Sequence, residues 1–407
     1  MLFERFNFMS KQKKIYFHMM AKPSSFHCNI KCEYCFYLQK EQVFTRHINS
    51  MTEQTLENYI KNYIDSFPGE RIDFMWQGGE PTLLGLDFFR KMVSLQAKFA
   101  GTKQISNSFQ TNGMALNRQW CEFFKDNQFL IGISVDGLEE VHNKYRISIN
   151  GQPTFTRVKH AIELLKSYQV DFNTLTVVND RNWNKGRETY QALKALGSTF
   201  MQFIPIVEVA NYSAQRQDFN PGKNYRMTPF SVPAEGYGQF LLDVFNEWLK
   251  EDIGHIFINM FDDLLGQWLG FPSRSCVHQE TCGRAMILES NGDVYSCDHF
   301  VYPAYKIGNV NHQSLTQIVN SPKQIKFGKA KLETLTKQCQ KCEVRHFCYG
   351  GCPKHRIVPL KGEQFKQNYL CPSYQFFFRH SAPIMSRIRD IIRQGRSARE
   401  IMSMLSR

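Results

Sequence analysis

The stretch MAKPSSFHCNIKCEYCFY, residues 20–37, carries three closely spaced cysteines just after a predicted β-strand. The strand is expected over residues 15–22, and Cys28, Cys32 and Cys35 follow it in the pattern Cys-x3-Cys-x2-Cys. Three thiolates on one short loop can hold three irons of a [4Fe–4S] cube, whereas four cysteines are usual when protein holds every iron. One iron then stays open to an outside ligand. The spacing therefore predicts a catalytic cluster.

Around this stretch, strand patterns alternate with helix patterns, which predicts repeated βα units and a parallel sheet. The six strand candidates are residues 15–22, 71–77, 105–110, 129–135, 171–178 and 200–207. Six units are too few to close an eight-stranded barrel. We therefore predict an α/β fold with a partial (βα)6, TIM-like barrel, and we expect its active site at the C-terminal ends of the strands.

Local signals predict several helices and the domain division. Ser50 and Glu53 fit a capping box at the start of the first helix. Val158, Ile162 and Leu165 recur at helical spacing over residues 155–168. The predicted units are a barrel (1–235, ending in a polar loop from 209), a helical connection (236–275, with helices near 236–250 and 256–269), a small Cys-rich domain (276–380) and a basic helical tail (381–407).

The composition is that of a folded protein, with 42% hydrophobic and 21% charged residues among 407. No apolar run approaches the roughly 18 residues that a membrane span needs, and the first 20 residues lack the features of a secretory signal. Since the net charge of +13 is spread along the chain, we expect neither a nucleic-acid nor a membrane partner. We expect a cytoplasmic protein, in which repeated cysteines indicate metal or redox sites rather than disulfides.

Eight of the twelve cysteines fill the last third of the chain, and Cys121 is expected to be a buried structural thiol. The eight are Cys276, Cys282, Cys297, Cys339, Cys342, Cys348, Cys352 and Cys371. They suffice for two clusters with four ligands each. Between the first ones, Asn291-Gly292 predicts a hairpin with a two-residue loop, which would pair Cys297 with Met286.

Further motifs at strand ends resemble those of the radical SAM (S-adenosylmethionine) superfamily, as does Cys28-x3-Cys32-x2-Cys35. These motifs are Gly78-Gly79-Glu80-Pro81 after the second strand, Ser134-Val135-Asp136-Gly137 after the fourth with Arg146 beyond, and QFIPIV, ending at Val207. The resemblance implies that the open iron binds SAM. It also implies that the SAM contacts come from Tyr34, Gly78, Gly79, Glu80, Ser134, Arg146 and Val207.

The C-terminal cysteines resemble those of the SPASM domain, which carries two auxiliary [4Fe–4S] clusters. This resemblance assigns Cys276, Cys282, Cys297 and Cys352 to the first auxiliary cluster, and Cys339, Cys342, Cys348 and Cys371 to the second. The crossing of Cys352 between the two groups comes from the resemblance alone. With the N-terminal cluster, the implied cofactors are SAM and three [4Fe–4S] clusters.

The whole chain is similar to the anaerobic sulfatase-maturating enzymes, in stretches such as QGGEPTL, QTNG, GISVDG and YSCDHF. The family implies that a deoxyadenosyl radical takes a hydrogen from Cβ of a Cys or Ser in an unfolded sulfatase, and that formylglycine results. Asp298 matches the family's base, and the second electron leaves through the auxiliary clusters. The implied partners are that polypeptide and a reducing donor such as flavodoxin or ferredoxin.

Other interpretations of these residues stay open. The N-terminal cysteines fit a zinc site completed by His27, or three unconnected buried thiols, and Cys339–Cys352 fit a zinc ribbon. Asp298 fits a group that caps the loop or bonds a ligand beside the cluster. As a whole, the chain fits an enzyme that forms thioether or carbon–carbon crosslinks in another peptide, an electron carrier, or an RNA-modifying relative.

Overall fold

A ten-stranded sheet organises the protein, whose structure is a computed structural model that describes residues 15–37, 40, 50–210 and 225–405. In chain order, the strands are β1 (His18–Lys22), β2 (Ile30–Cys32), β3 (Arg71–Trp76), β4 (Gln104–Thr111), β5 (Leu130–Ser134), β6 (Arg146–Ser148), β7 (Phe172–Val178), β8 (Phe200–Pro205), β9 (Phe257–Ile258), β10 (Ala285–Glu289), β11 (Asp293–Tyr295), β12 (Lys306–Asn309), β13 (Arg356–Val358) and β14 (Gln367–Asn368). The sheet order is β12-β11-β10-β1-β3-β4-β5-β7-β8-β9.

The central six strands, from β1 to β8 in that order, are all parallel. They correspond one for one to the six predicted strands, so the α/β fold with a partial (βα)6 barrel is confirmed. The sheet then continues on both sides. Beyond β8 it gains the short parallel β9, and beyond β1 it gains β10, which pairs in parallel with β1.

The helices of the described residues cover the sheet and build the C-terminal part. They are α1 (Glu53–Ser66), α2 (Gly85–Phe99), α3 (Arg118–Asp126), α4 (Glu139–Tyr145), α5 (Phe155–Ser167), α6 (Gly186–Ala195), α7 (Gly236–Glu251), α8 (Asn259–Trp268), α9 (Leu315–Val319), α10 (Pro322–Glu333), α11 (Lys337–Gln340), α12 (Arg345–Cys348), α13 (Cys371–Arg393) and α14 (Glu400–Leu405). The predicted helices over 155–168, 236–250 and 256–269 are confirmed by α5, α7 and α8.

Aromatic packing joins α1 to the sheet. In β3, Phe74 and Trp76 are fully buried on one face, as the alternation of a half-buried strand requires. Tyr59 of α1 packs edge-on against both rings, at centroid distances of 5.6 and 5.8 Å. The helix begins one residue after Thr52, whose hydroxyl accepts a hydrogen bond from Thr55 N. The predicted cap at Ser50 is therefore wrong by two residues.

The hairpin β10–β11 differs by one residue from its prediction. Ile287 pairs with Tyr295 and Leu288 with Val294, so the loop spans three residues, 290–292, and Met286 does not face Cys297. Gly292 has φ +86°, a left-handed conformation that closes a three-residue loop at little cost for glycine. The pairing of β10 with β1 sets Glu289 beside Lys22 and so brings this hairpin to the barrel.

Helix α13 runs from Cys371 through Pro383 without a break. The tail that the sequence predicts from residue 381 is thus the second half of a longer helix that packs on α7 and α8. The predicted boundaries after residues 235, 275 and 380 stay predictions. The polar loop lies partly outside the described residues, at 211–224.

Candidate active site and cluster sites

A cavity opens at the C-terminal ends of the barrel strands. Its lining includes Cys28, Cys32 and Cys35 together with residues at or just after the ends of β1, β3, β4 and β5. The cysteine loop is held there because β2 pairs with β6, which places Cys32 opposite Arg146. The cavity lies where the sequence predicts the active site.

The three thiols are close enough to influence one another electrostatically. Burial is the main cause that raises the pKa of Cys28 to about 11 and that of Cys32 to about 12, and the neighbouring thiols contribute to both shifts. The side-chain amide of Asn112 lies with its Nδ2 3.6 Å from Cys28 Sγ, where it can donate a hydrogen bond to a thiolate. Arg146 lowers the pKa of Cys32 but does not outweigh burial, so bound iron would supply the further positive charge that keeps the three sulfurs deprotonated. The donor set therefore fits a cluster held by three cysteines.

Gly78 and Gly79 line the cavity, and both have positive φ, +100° and +43°. A Cβ on Gly78 would lie 2.6 Å from Lys22 Cβ, and a Cβ on Gly79 would lie 1.9 Å from the backbone oxygen of His27. These glycines let the loop after β3 pack directly on the cysteine loop. The absence of a side chain at these two glycines therefore serves, in the first place, to let two segments of the chain pack closely together.

Glu80 is fully buried and lies outside the cavity lining. Its Oε1 accepts hydrogen bonds from Thr82 N, Thr82 Oγ1 and Thr111 Oγ1, and its Oε2 accepts one from Asn112 N at 2.8 Å. Burial raises the pKa of this carboxyl, while the four hydrogen bonds oppose that shift. Glu80 thus ties the ends of β3 and β4 together, and its predicted contact with SAM stays a prediction.

Arg146 lines the cavity and forms a buried ion pair with Asp136, at 3.0 Å between Nε and Oδ2. Asp136 Oδ2 also accepts a hydrogen bond from the hydroxyl of Tyr34 at 2.6 Å, and Oδ1 accepts one from Val177 N. Asp136 therefore orients both Arg146 and the aromatic residue between the second and third cysteines. Tyr34 itself lies behind the cavity wall, since it is not among the lining residues.

The remaining two predicted SAM contacts differ in their placement. Ser134 lines the cavity, and its hydroxyl accepts a hydrogen bond from Gln110 Nε2 at 3.0 Å. Val207 is buried just beyond the end of β8 and is not among the lining residues. The structure therefore brings Ser134, Arg146 and the two glycines to one cavity, whereas Tyr34, Glu80 and Val207 are buried and are not among its lining residues.

The thiols assigned to the first auxiliary cluster form one neighbourhood, although Cys352 comes from a different part of the chain. Burial is the main cause that raises the pKa of Cys282 to about 12, and the nearby Cys352 and Cys276 contribute to this shift. The same two thiols act on Cys297. Lys331 of α10 is buried and donates hydrogen bonds to the backbone oxygens of Cys276 and Val277, which holds the loop of Cys276 in place. These mutual effects place the four thiols in one neighbourhood, and their assignment to a single cluster stays a prediction.

The thiols assigned to the second auxiliary cluster line a separate, small cavity. These are Cys339, Cys342, Cys348 and Cys371. Side-chain amides point at two of the sulfurs, with Gln367 Nε2 2.8 Å from Cys371 Sγ and Gln375 Nε2 3.6 Å from Cys342 Sγ. Amide donors suit thiolates, so this set also fits a cluster. In the described part of the chain, no three His, Cys, Asp or Glu side chains are placed to hold a single metal ion.

Asp298 lies directly after Cys297 and beside the cavity. Its Oδ1 is 2.8 Å from Nζ of Lys22, a cavity residue that is only 1% exposed. The same ammonium lies over the ring of Tyr37, 4.0 Å from its centroid, and the hydroxyl of Tyr37 donates to Glu289. A second hydrogen bond to Glu289 comes from Ser25 Oγ at 2.8 Å. Two carboxylates and one lysine thus form a polar wall between the barrel and the hairpin.

Two family descriptions match the chain. That of the radical SAM superfamily matches residues 23–193, and that of an iron–sulfur cluster-binding domain, SPASM, matches residues 276–343. A serine-type anaerobic sulfatase-maturating enzyme of Bacteroides thetaiotaomicron is 39% identical over 95% of this chain and 95% of its own length. A cysteine-type anaerobic sulfatase-maturating enzyme of Clostridium novyi is 34% identical over 88% of this chain and 94% of its own.

This chain belongs to the family of anaerobic sulfatase-maturating enzymes. The solved structure of native anSMEcpe with bound AdoMet and Cp18Cys peptide superposes with a TM-score of 0.81, at 32% identity, over 92% of this chain and 99% of that one. The predicted family and fold are confirmed, and so are SAM and [4Fe–4S] clusters as the cofactors of this sulfatase-maturating enzyme. Among the described residues, no helix has the length and apolar character that crossing a bilayer requires.

Sequence reasoning missed several residues of this family member's site. Lys22, Tyr37 and Gln77 all line the cavity, and Gln77 Oε1 is buried without a hydrogen bond to a described residue. A signal was present for two of them, because Lys22 ends the first strand and Gln77 follows the second, where a barrel presents its active-site residues. No local pattern marks the link of Tyr37 to Glu289, since the two residues meet only through the pairing of β1 with β10.

Proposed function

We propose that the protein oxidises a Cys or Ser side chain of a sulfatase polypeptide to Cα-formylglycine. The observation that carries this proposal is the position of Asp298, 2.8 Å from the ammonium of Lys22 at the cavity that Cys28, Cys32 and Cys35 share. A carboxylate at this place is positioned to take the proton of a side chain bound in the cavity. Relatives named as serine-type and cysteine-type enzymes of sulfatase maturation support the choice of substrate.

The proposed cluster ligands are the three sets of cysteines described above. Cys28, Cys32 and Cys35 would hold the SAM-binding cluster. Cys276, Cys282, Cys297 and Cys352 would hold the first auxiliary cluster, and Cys339, Cys342, Cys348 and Cys371 the second. When bound, the first cluster and SAM supply the one-electron cleavage by which a hydrogen leaves Cβ of the target side chain.

Residues of the cavity would bind and orient SAM and the substrate. Arg146, held by Asp136, and Ser134, held by Gln110, present a cation and a hydroxyl to the cavity, and these suit a carboxylate and a ribose. Glu80 and Tyr34 would shape the loops from behind through their hydrogen bonds, and Val207 would add apolar contact at the end of β8. Gln77, whose Oε1 has no hydrogen-bond partner among the described residues, would be a further polar group for a bound peptide.

Asp298 would act as the base, and Lys22 would keep its carboxylate in place. The contact has the distance of an ion pair without the alignment of a hydrogen bond, since Asp298 Oδ1 makes no hydrogen bond with a described residue. The Asp298 side chain as a whole is 21% exposed, and we propose that this partly exposed carboxylate accepts the proton of the substrate. Cys297, a proposed ligand of the first auxiliary cluster, directly precedes Asp298 in the chain, so the proton and the second electron would leave the substrate at neighbouring points.

The proposal extends to the electron donor and to the compartment in which the protein acts. The family supports a peptide substrate. We add a small reducing protein of the flavodoxin or ferredoxin type as the electron donor, because one-electron chemistry needs a supply of single electrons. We also place the reaction in the cytoplasm, where the twelve cysteines would stay reduced and available to iron.

The test is anaerobic reconstitution with iron and sulfide, followed by reduction with SAM and a peptide containing Cys-x-Pro-x-Arg or Ser-x-Pro-x-Arg. The wild type should form deoxyadenosine and a trappable aldehyde. Asp298→Asn should lower aldehyde formation by about 100-fold or more, as loss of a general base does, while Asp87→Asn, at a 96% exposed side chain, should leave it unchanged. Deoxyadenosine without an aldehyde from either peptide would reject the substrate.

A further inference from the structure

The imidazole of His299 lies between the cavity and the first auxiliary set. Its Nδ1 is 3.3 Å from Sγ of Cys352, and its ring packs edge-on against Phe36 with a centroid distance of 5.6 Å. Phe36 lines the cavity, and Asp298 precedes His299 directly in the chain. One side chain therefore contacts a wall of the cavity on one side and a proposed cluster ligand on the other.

The chemistry of the ligand fixes the direction of this hydrogen bond. A cysteine that binds iron has lost its proton, so its sulfur can only accept. Nδ1 of His299 must then carry the hydrogen and donate it to Cys352. Another nearby imidazole does not share this contact, since the ring of His355 lies 5.9 Å from that of His299 and its Nδ1 has no hydrogen-bond partner among the described residues.

A hydrogen bond to a ligand sulfur changes the energy of the two oxidation states unequally. Reduction adds negative charge to the cluster and its thiolates, and a donor N–H stabilises that charge. Hydrogen bonds to the sulfurs are among the factors that set cluster potentials. A donor on Cys352 therefore makes the first auxiliary cluster easier to reduce, and a cluster that is easier to reduce is a better acceptor for an electron from the substrate.

We infer that His299 tunes the first auxiliary cluster as an electron acceptor by donating its Nδ1–H to the sulfur of Cys352. The inference rests on the proposed function, because it assumes that Cys352 ligates this cluster. His299 is a positioning residue in this scheme, since it acts through Cys352 and not on the substrate. In its absence, the cluster should still assemble but with a lower reduction potential.

The first experiment compares the midpoint potentials of the clusters in the reconstituted full-length protein by EPR-monitored titration. In His299→Phe, which keeps a ring but removes the donor, the potential of one auxiliary cluster should shift downward. His299→Asn places an amide N–H near the position of Nδ1 and should restore the potential. His355→Phe, a control at a buried imidazole whose Nδ1 has no hydrogen-bond partner among the described residues, should leave it unchanged. Unshifted potentials in a fully loaded His299→Phe protein would overturn the inference.

The second experiment needs no substitution in its key sample, so it decides the matter even if His299→Phe fails to load iron. In wild-type protein with ¹⁵N-labelled histidine, pulsed EPR of the reduced cluster should show a coupled histidine nitrogen. This coupling should vanish in His299→Asn. A wild type without such a coupling would contradict the hydrogen bond.

The inference and the proposed function fail separately. Shifted potentials without any aldehyde product would retain the role of His299 and reject the proposed substrate. An aldehyde formed normally together with unshifted potentials and no coupled nitrogen would retain the substrate and reject the role of His299.

Discussion

Nζ of Lys22 lies 2.8 Å from Oδ1 of Asp298. This ion pair joins the last residue of β1 to the turn that follows Cys297. Lys22 is 1% exposed, and Asp298 is 21% exposed. The pair exists because β10 adds to the barrel sheet in parallel with β1. The C-terminal part of the chain thereby delivers its carboxylate to the cavity formed by the barrel.

Replacement of Lys22 should separate SAM cleavage from product formation. Without its ammonium, Asp298 loses the group that positions it, so Lys22→Met should lower the aldehyde yield by about tenfold or more, which corresponds to about 1.4 kcal/mol. Deoxyadenosine should still form, because the lysine lies beside the carboxylate and not among the proposed cluster ligands. Liquid chromatography of deoxyadenosine and of trapped aldehyde from the same reaction measures both.

Lys22→Arg serves as the conservative variant and should recover much of the yield. Lys98→Met is the control at an exposed lysine that pairs with Glu57. Equal losses of deoxyadenosine and aldehyde in Lys22→Met would show that Lys22 acts on SAM or on folding instead of on Asp298.

Substitution at Gly79 should disrupt the loop that carries the cysteines. A Cβ at this position would lie 1.9 Å from the backbone oxygen of His27, and backbone cannot turn aside as a flexible side chain can. We expect Gly79→Ala to lose most of its iron after reconstitution, as measured by iron and sulfide analysis. Gly266→Ala, in α8 with open space around its Cβ, should load fully and be up to about 1 kcal/mol more stable. Full iron content in Gly79→Ala would contradict the tight packing.

Removal of Asp136 should leave the guanidinium of Arg146 buried without its partner. Loss of one member of a buried ion pair typically costs about 3–5 kcal/mol, because the remaining charge is not compensated. We expect Asp136→Asn to lower the free energy of unfolding by about that amount, as measured by urea titration. Asp87→Asn removes an exposed partner of Arg90 and should change it by less than about 1 kcal/mol. Similar values for both variants would argue against the role of Asp136.

Stability should fall as the pH is lowered below the usual pKa of histidine, in part because of His142. Burial lowers the pKa of this fully buried imidazole to about 3, against the smaller opposing effect of Asp136. Between pH 6.5 and 3, the unfolded chain therefore binds a proton that the folded chain excludes, so the contribution of His142 is present above pH 6.5 and is lost at a slope of up to about 1.4 kcal/mol per pH unit. Urea titrations at pH 7.5, 6.5 and 5.5 measure this dependence.

The variant His142→Gln should reduce that slope, since glutamine does not titrate. His160→Gln is the control, because His160 has a side chain that is 69% exposed. A slope that is the same in wild type and His142→Gln would contradict the assignment.

Local sequence patterns were sufficient for much of the fold. Each of the six barrel strands is a short apolar run bounded by turn residues, and for this reason their predicted limits agree with β1, β3, β4, β5, β7 and β8 within a few residues. The predictions of the helix cap and of the hairpin loop were wrong because neighbouring residues could fill the same role. Thr52 caps α1 in place of Ser50, and the hairpin loop has three residues instead of two. Both alternatives satisfy the same hydrogen-bonding rules, and tertiary packing selects between them.

The site was less accessible to sequence reasoning because its partners come from distant segments. The pattern after β5 contained Asp136, but nothing local showed that it binds Tyr34 and Arg146. The link of Lys22 to Asp298 depends on the register between β1 and β10, which no periodicity encodes. The grouping of Cys352 with Cys276, Cys282 and Cys297 was available only through family resemblance. Spacing alone would have grouped it with its neighbours in the chain.

The central claim is that Cys28, Cys32 and Cys35 hold a cluster with an iron open to SAM. It is tested most directly by deoxyadenosine formation in anaerobically reconstituted protein that has been reduced in the presence of SAM. We predict that the wild type forms deoxyadenosine, and that the variant with all three residues changed to Ala forms none while it retains the iron of two clusters. Deoxyadenosine formation at the wild-type level by the triple variant, or a wild type that stays iron-free, would contradict the account.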